Sequence, residues 1–377
     1  MSWENCKNIL VIRPDNMGDV IMSGPAIRAL KKSFGAKITL LTSSMAEGVI
    51  SHMPEIDEAI IFDLPWVKTA KQPDAAIFNQ VIAQVKDKQF DAAVVFTVYS
   101  QNPLPAAMLA YLAGIPRILA YCRENPYHLI TDWVPDKEPY DLIKHQVKRD
   151  LDLVATVGAT TMEENLYLAV DEGLWPPVAE QLVAEGLDIN KPWIILHAGV
   201  SEKKREYPNQ NWVAVAKALI TDKGYQVLLT GSASEKALTD GLQKEIGEGS
   251  LSAGGLFGLD EFISLIKHTP LMLSVNTGTI HIAAAVGTPL VVLYAQTNPQ
   301  HTPWNVPCKV LEFAVPEELR SRNEVIAHVN RSVYSTPIVM PGIDEVLNAV
   351  SEMISITSST DQPFDHIRFE NREFAAN

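Results

Sequence analysis

Cysteine is scarce in this chain, and its three copies form no pattern. Cys6, Cys122 and Cys308 lie far apart among 377 residues, and none belongs to a CxxC pair. Disulfide scaffolds and thiolate metal sites need paired or closely spaced cysteines. The sequence therefore favours buried thiols in a reducing compartment.

Long apolar runs and a surplus of positive charge are also missing. No run approaches the ~20 apolar residues that span a bilayer, and the start MSWENCKNILVIR lacks the parts of a signal peptide. The formal charge is −14, which opposes nucleic-acid binding because phosphate neutralisation needs a basic face. We expect a cytoplasmic protein with no nucleic-acid partner.

Several standard ligand motifs are absent as well. No GxGxxG follows a predicted strand, and neither GxxxxGK[ST] nor HExxH nor a Cys/His cluster occurs. These absences argue against a dinucleotide dehydrogenase, a P-loop NTPase and a zinc hydrolase. We predict no metal site and no cofactor.

What the chain does contain is a regular alternation of short apolar runs and helical patterns. In the first half, strands are predicted at 8–12, 37–42, 58–63, 91–96 and 117–122, with helices at 24–34 and 75–87. In the second half, strands are predicted at 193–198, 226–231, 271–275 and 289–295, with a helix at 209–223. This alternation is typical of parallel sheets covered by helices.

The length favours two domains, because one core seldom grows to this size. We predict an α/β protein whose two Rossmann-like, doubly wound domains, 1–172 and 173–341, face an interdomain cleft. The Pro176-Pro177 pair is expected to interrupt regular structure at the junction. A helix at 342–356 is expected to pack back on the first domain, followed by a polar tail at 357–377.

Two strand ends in the second half carry candidate ligand groups. After the strand that ends at 275, Asn276, Thr277 and Gly278 turn the chain into a helix that contains His281. A helix N-terminus of this kind presents backbone N–H groups to an anion such as a diphosphate. The alternative is an ordinary N-cap with a core histidine.

Charged residues follow two other predicted strands. Lys204 and Arg205 lie in a basic loop that could approach a phosphate, or form a solvated face. Glu235 lies in a first helical turn, where it could bind ribose hydroxyls or simply complement the helix dipole.

In this order, the motifs resemble glycosyltransferase family 9, the heptosyltransferases of lipopolysaccharide assembly. The segments that resemble the family are IRPDNMGDVIMSGPAIRAL at 12–30, HQVKRDLDLVATVGA at 145–159, HAGVSEKKREYP at 197–208 and GLFGLDEFISLIKHTPLMLSVNTGTIHIAAAVGTP at 255–289. The resemblance covers about residues 8–355. It implies a GT-B fold and inverting, metal-independent transfer from a nucleotide sugar, typically ADP-heptose.

The resemblance also implies roles for single residues. Asp19, beside Gly18, would be the general base that takes the proton of the acceptor hydroxyl; its alternative role is a helix N-cap. On the donor side, the resemblance implies that Thr277, Gly278 and His281 bind the diphosphate and that Arg205 or Lys204 neutralises its charge. It also implies that Phe257 contacts the nucleobase and that Glu235 contacts the ribose. Asn276 stands where family members commonly carry Asp.

The acceptor side is less marked. Lys68, Arg123 and His145 are basic groups of the first half that could meet an acidic sugar or a lipid phosphate, or lie on a solvated surface. A glycan or glycolipid acceptor is implied, and a glycolipid would bring the chain to the inner face of the cytoplasmic membrane. Two other functions stay open: a non-catalytic nucleotide-sugar-binding paralogue and a GT-B sugar-nucleotide epimerase.

Overall fold

The computed structural model describes residues 2–68, 74–334, 338–358 and 372–373. The first sheet is parallel and has the strand order β3-β2-β1-β4-β5-β6. Its strands are β1 Asn8–Ile12, β2 Lys37–Thr42, β3 Glu58–Ile61, β4 Ala92–Val95, β5 Ile118–Cys122 and β6 Asp132–Pro135. The order reverses between β1 and β4, and ligands of such sheets bind outside the carboxyl ends at this point.

The second sheet repeats the same order with later strands, β10-β9-β8-β11-β12-β13, again all parallel. Its strands are β8 Trp193–His197, β9 Gln226–Leu229, β10 Ser250–Ser252, β11 Met272–Val275, β12 Leu290–Ala295 and β13 Cys308–Phe313. A separate antiparallel pair joins β7 Leu142–Ile143 to β14 Arg372–Glu373. The predicted α/β, two-sheet fold is confirmed.

Helices cover the sheets. They are α1 Met17–Phe34, α2 Ala75–Asp87, α3 Leu104–Leu112, α4 Gln146–Ala155, α5 Trp175–Ala184, α6 Asn209–Thr221, α7 Lys236–Ile246, α8 Leu259–His268, α9 Thr279–Val286, α10 Glu324–Ser332 and α11 Ile343–Ser358. Strands β1, β4, β8, β11 and β12 are almost wholly buried, which explains their continuous apolar sequences. Among the described residues, no helix has the length and apolar character of a membrane span.

Helix α1 differs from its prediction. It begins at Met17, seven residues before the predicted start, and Pro25 lies inside it. An internal proline costs a helical hydrogen bond, but most of α1 is buried, so packing on both sides compensates. As a result, Asp19 lies in the first turn of a helix rather than in a loop.

Two other predictions are wrong. Pro176 and Pro177 do not interrupt regular structure: they lie in the first turn of α5, where a missing N–H has no helical partner to lose. The C-terminal helix α11 exists as predicted, but it packs on α6, β12 and β13 of the second sheet, through Val346, Val350 and Met353.

The boundary at 172/173 stays a prediction. Of the tail predicted at 357–377, residues 359–371 and 374–377 lie outside the described residues.

Candidate active site

Asp19 is the third residue of α1, at the carboxyl end of β1. Its Oδ2 accepts a hydrogen bond from the backbone N–H of Asn16 at 3.2 Å, as a first-turn acid does in a capping box. Its Oδ1 lies 3.2 Å from Arg13 Nη2 and 3.6 Å from His301 Nε2. The side chain is only 12% exposed, so it combines a capping contact with a position in a buried charge cluster.

The charge cluster sets the ionisation of Asp19. Burial raises the pKa of its carboxyl, but the charge of Arg13 together with the Asn16 hydrogen bond lowers that pKa below the ordinary value. Asp19 is therefore ionised near neutral pH and able to accept a proton. Burial also lowers the pKa of His281 to about 3 and that of His301 to about 4, so both rings are neutral.

Gly18 allows the two halves of the molecule to meet beside Asp19. A Cβ at this position would lie 2.7 Å from His281 Cδ2 and 3.3 Å from Gly278 Cα. Both distances are below ordinary contact, so a side chain here would push α1 away from α9. Gly18 thus allows the N-termini of α1 and α9 to approach closely, and Asp19 places a carboxylate where they meet.

A cavity of about 280 Å³ lies over this junction. Its walls from the first half include Asp19 and Gly18, and its walls from the second half include Arg205, His281 and His301. Helix α9 begins at Thr279, and the first N–H groups of a helix are oriented toward anions at its end. The cavity therefore combines a carboxylate with groups that can stabilise negative charge.

A second cavity, of about 360 Å³, adjoins the first on the second sheet. Its walls include Glu235, Phe257 and His197. Ser201, Thr277 and Gly278 line both cavities, so the Thr277-Gly278 turn lies where they meet. A nucleoside in the larger cavity would direct its diphosphate past this turn toward Asp19.

Glu235 belongs to a capping box with Ser232 in the short 3-10 turn before α7, a local role beside the ribose contact that the resemblance implies. Its Oε2 accepts hydrogen bonds from Ser232 N at 2.7 Å and Ser232 Oγ at 2.8 Å. Its Oε1 comes so close to Gly199 that a Cβ there would lie 2.0 Å away. The absence of a side chain at Gly199 gives this carboxylate its place in the wall of the cavity.

The structure separates the two basic candidates. Arg205 Nη1 donates to Asn276 O at 3.0 Å, Nη2 pairs with Glu202 at 3.2 Å, and the buried Nε has no partner. Arg205 lines the cavity that contains Asp19. Lys204 pairs with Glu202 at 3.3 Å and lines a neighbouring cavity of about 130 Å³ with Arg205. Of the two, only Arg205 thus lines the cavity that contains Asp19.

Asn276 holds the ends of two strands together. Its Oδ1 accepts from Ala295 N at 3.2 Å, while its Nδ2 donates to Ala295 O at 3.2 Å and Thr297 Oγ1 at 3.1 Å. An ionised aspartate could accept but not donate. Asn at this position therefore pairs with both main-chain groups of Ala295, and its side-chain role is local to β11 and β12.

Three residues that sequence reasoning missed belong to the site. Arg13 is fully buried between Asp15 and Asp19, with Nε 3.3 Å from Asp15 Oδ2. His197 connects Thr230 Oγ1 and Thr279 Oγ1 at 3.0 and 3.2 Å, and burial lowers its pKa. The signal for both was a polar residue at the end of an apolar strand. No local signal identified His301.

The three acceptor candidates do not come together. Lys68 is exposed and lies 3.5 Å from Glu202, which is part of the second half. Arg123 donates to the carbonyls of Tyr99 and Glu138 at 2.6 and 3.2 Å. The guanidinium of Arg123 thus binds backbone carbonyls, and of this pair only Lys68 has an exposed side chain.

His145 is the N-cap of α4 rather than an exposed ligand. Its Nδ1 accepts from Val147 N at 3.2 Å, its Nε2 lies 2.8 Å from Thr302 O, and its ring centroid is 4.5 Å from that of Trp304. Burial lowers the pKa of His145 to about 3. These contacts leave His145 no ring nitrogen for an acceptor, and we do not retain it in that role.

The chain contains one Asp-x-Asp sequence, Asp150 to Asp152, the spacing that metal-dependent glycosyltransferases commonly use. Both residues lie on α4, where positions two apart point to different faces. Asp150 accepts from Ser23 Oγ at 2.7 Å, and Asp152 pairs with Lys144 at 2.6 Å. In the described part of the chain, no group of three or more His, Cys, Asp or Glu is arranged to hold a metal ion.

Comparison with known proteins agrees with this geometry. The profile of glycosyltransferase family 9 (heptosyltransferase) matches residues 79–325. This chain belongs to glycosyltransferase family 9. As a family 9 member, it is 29% identical over 312 residues to lipopolysaccharide heptosyltransferase 2 of Escherichia coli K12, covering 78% of this chain and 84% of that protein.

Solved structures of family 9 proteins share the fold. A family 9 glycosyltransferase from Veillonella parvula aligns with a TM-score of 0.75 at 19% identity, over 94% of this chain and 98% of its own. The E. coli ADP-heptose lipopolysaccharide heptosyltransferase II aligns with a TM-score of 0.69 at 24% identity, over 93% and 100%. The chain has the GT-B fold, and it is a glycosyltransferase by family.

Proposed function

We propose that this glycosyltransferase transfers heptose from ADP-heptose to a hydroxyl of a glycan or glycolipid acceptor, with inversion at the anomeric carbon. The names of its relatives support the sugar and the nucleotide: one is a lipopolysaccharide heptosyltransferase, and a structural neighbour is described as acting with ADP-heptose. A glycolipid acceptor would bring the working enzyme to the inner face of the cytoplasmic membrane.

One observation carries the proposal. The only side-chain carboxylate on the described wall of the 280 Å³ cavity is that of Asp19, and it faces the N-terminus of α9, His281 and Arg205. A general base and an anion site must lie on opposite sides of the anomeric carbon for inverting transfer. Asp19 from the first half and the N-terminus of α9 from the second half line one cavity, which supports this arrangement.

The reaction can be written with these groups. The acceptor oxygen forms a bond to the anomeric carbon while its proton passes to the carboxylate of Asp19. The bond from that carbon to the diphosphate oxygen breaks, and the electron pair leaves with ADP. The N-terminus of α9, neutral His281 as a hydrogen-bond donor and Arg205 stabilise the charge of the departing diphosphate, so no metal ion is needed in this scheme.

The test is product formation from ADP-heptose and a heptose-terminated core acceptor, followed by mass spectrometry. We expect a product heavier by one heptose and free ADP. In Asp19→Asn, ADP binding should persist while turnover falls about a hundredfold or more. A non-catalytic paralogue would bind ADP-heptose without product, and an epimerase would isomerise the donor without acceptor.

A further inference from the structure

His301 has no role in the reaction scheme above, although it lies beside Asp19, the proposed general base. It ends a short 3-10 turn after β12 and reaches from the second half to within 3.6 Å of Asp19 Oδ1. Its ring lies nearly perpendicular to that of His281, with centroids 6.2 Å apart. The imidazole and the carboxylate thus face each other across the cleft and line the same cavity.

The hydrogen bonds around His301 fix its tautomer. Asn298 Oδ1 accepts from Gln300 N at 2.9 Å, so the orientation of the Asn298 amide is determined and its Nδ2 group points toward His301. That Nδ2 lies 3.2 Å from His301 Nε2. Because Nδ2 can only donate, Nε2 must be the unprotonated nitrogen of a neutral ring.

In the resting state the lone pair of Nε2 is occupied by the Asn298 N–H, so Nε2 can accept a hydrogen bond from a protonated Asp19 carboxyl only in exchange for that one. Arg13 stabilises the charged form of Asp19 and so makes Asp19 a weak base by itself. General base catalysis is most effective when the pKa of the base is close to the working pH. Two groups that share one proton titrate as a unit and hold it more firmly than the carboxylate alone.

We propose that Asp19 and His301 form a carboxylate–imidazole pair across the cleft, in which His301 acts through Asp19 to receive the proton of the acceptor hydroxyl. The inference rests on the proposed function of Asp19. The acceptor O–H bond breaks as its oxygen bonds to the anomeric carbon, and the proton passes to Asp19 Oδ1, where it is hydrogen-bonded to His301 Nε2 in place of the Asn298 N–H as the two atoms approach from 3.6 Å. It leaves to water after the diphosphate has gone, so the pair ends as it began.

The charges around the pair define its pH response. The groups that act on His301 are Asp19 and Arg13 from the first sheet's elements, His145 from α4, and Arg205 and His281 from the second half. Of these, Asp19 favours the protonated ring, the guanidinium groups of Arg13 and Arg205 oppose it, and the rings of His145 and His281 are neutral. The neutral imidazole can accept from the protonated carboxyl of Asp19 and so favours that form, and its removal should leave a weaker base whose protonation occurs at lower pH.

The experiment compares the His301→Gln variant with the wild-type protein, both as full-length chains. Gln can still accept from Asn298 but cannot take a proton, so we expect kcat at pH 7 to fall about a hundredfold, with ADP affinity unchanged by calorimetry. The acidic limb of the kcat profile should move to lower pH. In His301→Ala, added imidazole should restore part of the turnover, and exposed His128→Gln should behave as wild type.

The outcomes separate the two claims. If Asp19→Asn is inactive while His301→Gln keeps wild-type kcat, the pair is wrong and Asp19 acts alone. A fall in kcat with an unmoved acidic limb and no rescue by imidazole would show that His301 only packs, and would also overturn the pair. Wild-type turnover in Asp19→Asn would overturn the proposed function itself.

Discussion

At the scale of single residues, Gly18 is the point where a missing side chain matters most. In Gly18→Ala, the new Cβ would meet His281 and Gly278 at 2.7 and 3.3 Å. We expect the free energy of unfolding to fall by about 1 to 3 kcal/mol through overpacking. We also expect kcat to fall, because the base and the anion site move apart. Denaturant unfolding and steady-state kinetics measure both.

Gly24→Ala is the matched control, since Gly24 lies in the same helix. Its added Cβ would meet only Met53 Cε, at the ordinary distance of 3.4 Å. Alanine inside a helix is more stable than glycine by about 0.5 to 1 kcal/mol, so the control should be as stable as wild type or more so. Equal losses in the two variants would contradict a special role for the approach at Gly18.

Arg205 and Lys204 can be distinguished by their places in the cleft. We expect Arg205→Ala to weaken ADP binding by about 1.5 to 3 kcal/mol, the range for hydrogen bonds to charged groups. Lys204→Ala should change it little, because Lys204 does not line the cavity with Asp19. Calorimetry with ADP measures both, and the reverse order would assign the diphosphate to Lys204.

The site residues that could be predicted are those that follow directly from a strand end. Asp19, Thr277, Gly278 and Glu235 all lie at such ends, and sequence order was enough to propose a shared cleft. His301 could not be found in this way, because its importance depends on a contact with Asp19 across the molecule. His145 was misjudged for the opposite reason: local basicity suggested a ligand, whereas tertiary packing made it a buried cap.

At the scale of elements, the cap of α4 makes stability depend on pH. The pKa of His145 falls from the ordinary 6.5 to about 3 through burial, so the folded protein binds fewer protons here than the unfolded chain between these values. The stability that neutral His145 contributes to the fold is fully present above pH 6.5 and is lost as the pH falls toward 3. In His145→Asn, which keeps a cap acceptor, the dependence should disappear.

The measurement is the free energy of unfolding of both proteins at several pH values. Relative to His145→Asn, wild type should lose about 1.4 kcal/mol for each pH unit below 6.5. Parallel curves for the two proteins between pH 5 and 7 would show that His145 titrates normally in the fold.

The elements that were predicted best are those whose sequences match their burial. β1, β2 and α2 have their predicted bounds, because continuous apolar runs and a helical period point to one structure. β6, β10 and β13 were missed. They are short or alternate in burial at the outer part of each sheet, and edge strands carry weaker apolar signals. The early start of α1 was hidden by Pro25, whose cost is offset by contacts that sequence does not show.

At the scale of the whole molecule, the leaving diphosphate is met by groups from the assembled cleft. We predict that turnover survives excess EDTA, because the α9 N-terminus, His281 and Arg205 supply the charge stabilisation. His281→Ala should reduce turnover more than chelation does. Loss of product with EDTA and recovery with magnesium or manganese would refute this scheme while leaving the family unchanged.

The apolar core that runs from α1 into α9 has a consequence for how the protein responds to ligand. Val20 and Ile21 of α1 belong to the same buried cluster as Ile282 and Ala283 of α9. Opening either helix exposes apolar surface of the other, so the two halves should unfold in one cooperative transition. If nucleotide binds the second half as proposed, it should stabilise both halves, and ADP should slow amide hydrogen exchange in β1 and α1 as well as in the strands that it adjoins.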